Sequence, residues 1–340
     1  MKKRALITGL TGQDGSYLSE FLIKKGYDVY GLMRRTSTDS TVRLSSPEHK
    51  KIKILYGDLR DFGALMRAVE TANPDEIYNL AAQSDVGISF KCPEEAIEIN
   101  YLGVGRLVNA AMKIKPKVRI YQASTSEMFG KTTPPQNESS PFLPVSPYGE
   151  AKLRAHQDFV EGYRKKHGLF ICSGFLFNHE SPRRGHNFVT RKITRGLASI
   201  KLGRQEFVEL GNMDAKRDWG FAGDYVEAMW KMLQQKNPED FVIATGESHT
   251  VREFAEEAAR ALRMEIHWEG KGSKEVGKDK NGKTIIKINK EFYRPLEVDY
   301  LLGDSTKANK KLGWKPKTTF KELAKMMALA DYATLKKERH

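Results

Sequence analysis

The 340-residue chain has only two cysteines, Cys92 and Cys172, in segments with neither pairing nor metal-ligand spacing. A disulfide framework and a zinc centre are therefore not expected, and both residues read as free thiols. No run of about 18 apolar residues occurs, which excludes a membrane-spanning helix. The basic residues Lys2, Lys3 and Arg4 precede an apolar run of residues 5–7 that stops at Thr8 and Gly9. That run is too short for a secretory signal, so a cytoplasmic location is expected. Internal repeats and low-complexity tracts are also missing.

Acidic residues are in deficit: 43 Asp and Glu face 57 Lys and Arg, giving +14. Such an excess concentrates anions, whether nucleic acid or an anionic cofactor. Much of it is scattered as Lys-Lys pairs and in residues 270–290, the pattern of a solvated surface, so nucleic acid is not the expected partner. A hydrophobic content of 39% with 29% charged residues fits a folded globular body.

Short β-branched runs alternate with longer amphipathic stretches. Strands are expected at residues 5–8, 28–33, 52–56, 76–80, 118–122 and 170–177, with helices at 16–25, 62–72, 94–113 and 148–166. This is the rhythm of an α/β fold with a doubly wound parallel Rossmann sheet. Beyond Phe177 the rhythm loosens: a loop rich in Pro, Arg and Gly, a helix at 188–202, a short segment at 207–210, a helix at 224–235 and a strand at 241–244 that can rejoin the sheet. The expected division is a nucleotide-binding domain over 1–178, rejoined by 215–248, and a smaller interleaved α/β substrate lobe over 179–214 and 249–325. Asn281-Gly282 marks a hairpin, because both residues tolerate positive φ, and its surroundings read as an exposed lysine-rich ribbon.

Gly9, Thr11, Gly12, Gln13, Asp14 and Gly15 follow the first strand and open the first helix. A glycine turn there lets backbone N–H groups approach a pyrophosphate at a helix N-terminus. About 20 residues on, where an NAD site places an acid on the ribose, stand Arg34 and Arg35, which suit a 2′-phosphate and favour NADP. Asp58 and Leu59, then Leu80, Ala81, Ala82, Gln83 and Ser84, follow the third and fourth strands, where adenine and ribose would lie. Tyr148 and Lys152 are one helical turn apart, so the ammonium is expected to favour the phenolate. A lone Tyr-x-x-x-Lys is weak, and Tyr332 and Lys336 repeat it near the C-terminus. Tyr148 differs in following the fifth strand, which ends in Thr125, Ser126 and Glu127. In extended backbone Thr125 and Glu127 point the same way, a hydroxyl and an acid/base group for one substrate.

These segments, together with residues 177–185, 189–194, 211–214, 217–219 and Arg294-Pro295 with Glu297-Val298, resemble the GDP-mannose 4,6-dehydratases, extended short-chain dehydrogenases, over nearly the whole chain. The resemblance implies an NADP-dependent lyase acting on GDP-mannose: Tyr148 takes the C4 hydroxyl proton, Thr125 holds the oxygen, Glu127 takes the C5 proton and expels the C6 hydroxyl, and a hydride borrowed from C4 returns to C6. It further implies cofactor contacts from Lys152, His179 and Arg184, and nucleotide-sugar contacts from Ser84, Thr125, Ser126, Glu127, Tyr148, Asn178, Lys192, Arg217, Arg294 and Glu297. The stretch from Arg34 to Arg43 resembles a loop shared between subunits, implying a homotetramer built as a dimer of dimers. No metal is implied.

Three departures from the family pattern bear on cofactor contacts and helix stability: Asp85, Glu95, and Gly149-Glu150 between Tyr148 and Lys152. Alternatives are a dehydratase of another GDP-sugar such as a heptose, an epimerase or reductase on the same fold, and a non-catalytic nucleic-acid-binding member. Glu127 argues against simple C4 epimerisation, which needs no acid/base group at C5 and C6.

Overall fold

The computed structural model describes residues 2–293, 296, 298 and 300–338. Six parallel strands, β1 (Arg4–Thr8), β2 (Asp28–Met33), β3 (Lys53–Tyr56), β4 (Glu76–Asn79), β5 (Arg119–Thr125) and β6 (Ile171–Leu176), are joined by Phe241–Ile243 in one sheet. The spatial order is Phe241–Ile243, β6, β5, β4, β1, β2, β3. The expected return of the 241–244 segment thus takes place, by parallel pairing with β6. β4, β6 and Phe241–Ile243 are buried along their whole length, as expected of parallel strands covered on both faces, and β4 includes the buried polar residues Glu76 and Asn79. Winding reverses between β1 and β4, and a ligand crevice forms beyond the carboxyl ends of strands at such a point.

A buried polar ladder runs from those ends of β1 and β4 to the middle of β5. Thr8 Oγ1 donates to Asn79 Oδ1 at 2.5 Å, and Asn79 Nδ2 donates to Gln122 Oε1 at 2.7 Å. Thr8 Oγ1 also accepts from the N–H groups of Leu80 and Ala81, each at 3.2 Å. The three side chains are at most 1% exposed. Each polar group left unpaired at such depth would cost about 1–3 kcal/mol, so the ladder fixes the relative heights of β1, β4 and β5.

Two expected long helices are interrupted. The 94–113 stretch is Pro93–Ile97, a π turn at Glu98–Leu102, then Gly103–Ile114. The 148–166 stretch is Pro147–Ala155, a π turn at His156–Glu161, then Gly162–His167. A π turn changes the phase of a helix, and periodicity alone gives no sign of it. In the first it directs the buried Asn100 side chain at Gln83.

Beyond the main sheet, the strands His267–Glu269, Val276–Lys278, Thr284–Ile288 and Val208–Leu210 form a four-stranded sheet. The helices Val189–Lys201, Val251–Ala261 and Phe320–Lys337 share its core, which includes Ile193, Leu197, Phe254, Ile285, Phe320 and Met327. The hairpin at Asn281-Gly282 is present, with Gly282 at φ +79°. Its reading as an exposed ribbon is corrected: Ile285 and Ile286 are fully buried, because pairing with Val208–Leu210 makes this strand internal.

Helix α1 (Gln13–Lys24) lies against the glycine turn so closely that a Cβ on Gly15 would fall 2.4 Å from the Gly9 carbonyl oxygen and 2.6 Å from that of Leu10. Gly15→Ala is therefore expected to cost about 1–3 kcal/mol of stability through overpacking. A urea unfolding midpoint equal to that of the wild type would contradict this contact.

Candidate functional site

The turn from Gly9 to Gly15 supplies one wall of the crevice. Gly9 has φ +69°, and a Cβ there would meet Ala81 N at 2.7 Å and Leu80 C at 2.8 Å. The Leu80–Ala81 backbone therefore lies against the turn as closely as it does because Gly9 carries no side chain. Gly12 N donates to Gly9 O at 3.0 Å, and no side chain caps α1, leaving first-turn donors to an external acceptor. Arg43 closes the turn from outside, donating to Thr11 O at 3.3 Å and Arg183 O at 2.7 Å.

Two of the expected cofactor residues are occupied with each other. His179 Nε2 lies 2.8 Å from Asp14 Oδ2, and its Nδ1 lies 2.8 Å from Phe177 O. Both partners are acceptors, so the ring carries two protons and is an imidazolium. Burial disfavours the charge on each member, but mutual attraction and the shared hydrogen bond outweigh it: Asp14 is held below its ordinary 3.8 and His179 above its ordinary 6.5. His179 stacks on Tyr225 at 4.8 Å. With both ring nitrogens engaged inside the protein, His179 buttresses the first turn of α1. Gln13 faces inward too, accepting from Ser181 Oγ at 2.8 Å and donating to His179 O at 3.0 Å.

Arg34 and Arg35 extend exposed from the end of β2. Asp58 is held by a two-pronged hydrogen bond from Arg60 at 2.9 and 2.8 Å, which keeps its carboxyl below the usual range, and Leu59 is buried. Ala82 and Gln83 are half-buried and Ser84 is exposed. The Gln83 backbone is fixed at both ends by Asn100, whose side chain accepts from Gln83 N and donates to Gln83 O, each at 2.9 Å.

Tyr148, Lys152, Thr125, Ser126 and Glu127 converge and are all under 9% exposed. Thr125 Oγ1 accepts from Glu127 N at 3.2 Å, starting the short turn Ser126–Met128. Ser146 caps the Pro147–Ala155 helix by accepting from Gly149 N at 3.1 Å, and Tyr148 N donates to Ser89 Oγ at 3.3 Å. The phenol of Tyr148 stands above its ordinary range rather than below it, and the main influences on it are burial, Thr125 and Glu127, not Lys152. Burial pushes the phenol up to about 12; a hydrogen bond with Thr125 opposes this, and the nearby Glu127 charge adds to it. Lys152 Nζ instead donates to Ala123 O at 2.9 Å and lies 5.9 Å from the Tyr148 ring centre. Burial brings its own pKa down to about 8.

The departures from the family pattern find local explanations. A Cβ at Gly149 would lie 2.8 Å from Glu127 O, so glycine is what lets the Tyr148 helix approach the Glu127 turn. Asp85 accepts from Ile88 N at 3.1 Å as a helix cap, and Glu95 is exposed.

Around the remaining wall, a cavity of about 400 Å³ is lined by residues including Arg43, Gln83, Ser84, His186 and Phe188. Arg184 places its guanidinium 3.6 Å above the Phe188 ring and 3.1 Å from Glu180. Lys192 lies 3.2 Å from the centre of the Phe292 ring, and burial lowers its pKa. Arg217 is buried and donates to Lys216 O at 2.9 Å. The expected positions Arg294 and Glu297 lie outside the described residues. The roles of Arg43, Asn100 and Ser89 were not read from the sequence, and the one sequence signal was a polar Asn100 on an otherwise apolar helical face. His156, Glu161 and Asp240 bring ligand-type atoms within 4.8 Å of one another, but Arg164 takes both Asp240 oxygens at 2.9 and 2.6 Å.

The Asp14–His179 pair sets a pH window. His179, raised, contributes stability that is full below 6.5 and is lost as pH rises through its higher folded value; Asp14, lowered, contributes above 3.8 and loses this as pH falls through its folded value. The gap in thermal midpoint between wild type and His179→Gln is accordingly expected to narrow from about pH 6 to about pH 9. A constant gap would show that the ring is not an imidazolium.

A family model described as GDP-mannose 4,6 dehydratase matches residues 6–327. The human GDP-mannose 4,6 dehydratase is 52% identical over 96% of this chain and 91% of its own length, and that of Vibrio cholerae is 46% identical over 97% and 94%. Among solved structures, the UDP-glucose 4-epimerase of Thermotoga maritima superposes with a TM-score of 0.81 at 23% identity over 97% of this chain and 99% of that one. RMD from Pseudomonas aeruginosa, complexed with NADPH, gives 0.76 at 20% identity over 97% and 100%. These two similarities concern the fold, whereas the family model and the close relatives span nearly the entire chain: the protein belongs to the GDP-mannose 4,6-dehydratase family.

Proposed function

We propose that the chain is an NADP-dependent hydro-lyase that converts GDP-mannose to GDP-4-dehydro-6-deoxymannose. The observation that carries this reading is the convergence of Thr125, Glu127 and Tyr148 in one buried cluster at the end of β5, within a chain of this family. The fit to a dinucleotide rests on the uncapped start of α1 and on the close Gly9 turn. Two buried acceptors without hydrogen-bond partners among the described residues, Gln83 Oε1 and Asn178 Oδ1, suit ligand hydroxyl groups. Arg34 and Arg35, with no acid at the end of β2, favour NADP over NAD. The first-turn donors of α1 would hold the pyrophosphate, and Arg184 would add positive charge. Lys192 and Arg217, with Arg294, are assigned to the sugar diphosphate, whose negative charge calls for several cations. A homotetramer remains part of this reading on the likeness of the Arg34 to Arg43 stretch.

Bound NADP supplies hydride acceptance and return, leaving no net redox change. The protein supplies the proton chemistry. Tyr148 takes the proton of the C4 hydroxyl while Thr125 orients the oxygen. Since burial holds the phenol near 12, its ionisation at neutral pH requires additional positive charge in the assembled complex. The C4 ketone acidifies C5. Glu127 removes the C5 proton and delivers a proton to the departing C6 hydroxyl, so that one water leaves and a C5–C6 double bond remains to be reduced. Reduction of that double bond at C6 leaves C5 to be protonated, and the proton that Tyr148 took from the C4 hydroxyl goes there, so the C4 ketone is kept and the protons balance.

Mass spectrometry of the purified protein incubated with GDP-mannose and a trace of NADP⁺, without reductant, is expected to reveal a product lighter by one water and no accumulation of NADPH. An unchanged substrate would refute this substrate assignment. Replacing Glu127 by Gln is expected to lower the rate of water loss by about 10²–10⁴-fold while leaving NADPH binding, followed by fluorescence, intact. Full dehydration by that variant would remove Glu127 from the mechanism.

A further inference from the structure

The loop between Ser181 and Phe188 carries Arg184 into the crevice, and its main chain is held in an unusual way. The carbonyl oxygens of three successive residues each accept from a guanidinium: Arg183 O from Arg43 Nε at 2.7 Å, Arg184 O from Arg191 Nη1 at 2.9 Å, and Pro182 O also from Arg191 Nη1. Arg191 is itself buried, and its other edge is committed to Asp331, with Nε at 2.8 and 2.9 Å from the two carboxylate oxygens and Nη2 at 2.7 Å from one. Asp331 is wholly buried on the Phe320–Lys337 helix and also accepts from Thr194 Oγ1 at 2.6 Å. One guanidinium thus spans a carboxylate of the C-terminal helix and two carbonyls of the site loop, a planar fork that neither Lys nor a neutral group reproduces.

We infer that Asp331 is a positioning residue for cofactor binding: through Arg191 it sets the position of the 182–184 backbone and so aims Arg184 at the crevice. This rests on the reading of Arg184 as a cofactor contact. Arg195 Nη1 lies 4.0 Å from Asp331, so the carboxylate also offsets part of the positive charge gathered behind the loop. Without it, Arg191 would be a buried cation with carbonyl partners only, and the loop would be released together with that cation.

The test uses the full-length protein and NADPH itself as the fluorescent probe. Asp331→Asn is expected to weaken NADPH binding about tenfold, with the effect appearing in KM for NADP while kcat at saturating cofactor stays within about threefold. Arg191→Lys, which keeps a cation beside Asp331 but cannot also span the two carbonyls, is expected to give the same loss and carries the test if Asp331→Asn fails to fold. Thr194→Val removes the hydroxyl that donates to Asp331 and, at 3.3 Å, to the Arg191 carbonyl, leaving the Arg191 guanidinium contacts in place, and is expected to lower the thermal midpoint with NADPH affinity unchanged. Unaltered NADPH binding in the folded Asp331 or Arg191 variant overturns the inference, as does an equal loss in Thr194→Val. Arg184→Gln separates the two levels: if it binds NADPH normally, the reading of Arg184 fails, whereas if it binds weakly and the Asp331 and Arg191 variants do not, only the link through Arg191 fails.

Discussion

The hydrogen-bonded row Thr8, Asn79 and Gln122 is the constraint on which the site depends. It runs from the carboxyl ends of β1 and β4, between which the sheet changes its direction of winding, to the middle of β5. Thr8 fixes the start of the glycine turn and, through Leu80 N and Ala81 N, the segment that faces it. Gln122 precedes by three residues the Thr125 that hydrogen-bonds with Tyr148. The nucleotide turn and the acid/base cluster are therefore registered against each other by groups too deeply buried to find water instead.

Burial shapes the chemistry as strongly as charge does. It raises Tyr148 and lowers Lys152, placing both closer to the neutral forms that a low dielectric prefers. At Asp14 and His179 the same burial loses to a direct ion pair 2.8 Å long. The difference lies in geometry: a carboxylate and an imidazolium in contact offset their desolvation, whereas an ammonium 5.9 Å from a ring centre does not.

Arginines anchored at a distance hold the loop that bears Arg184. Arg191 reaches from the Val189–Lys201 helix to the loop that bears Arg184, and Arg43 reaches the same loop from the other side. A loop without regular backbone pairing acquires a defined path because its carbonyls meet charged donors, which bind more strongly than neutral ones.

The sequence by itself determined the parallel sheet, since β-branched runs at strand length alternating with amphipathic stretches leave few other folds. It also determined the glycine turn, the one-turn spacing of Tyr148 and Lys152 and the hairpin at Asn281-Gly282, because each depends on residues near one another in the chain, whereas Glu127 lies in the Ser126–Met128 turn and not in the extended backbone expected for it. The tertiary structure alone decided that β4 lies beside β1, that the hairpin strand is internal, and that π turns aim Asn100 at Gln83. It also decided that His179 pairs with Asp14, 165 positions away, and that Lys152 faces a carbonyl. Local spacing carries periodicity and turn chemistry; burial, and the partner each charge finds there, arise only when distant segments pack.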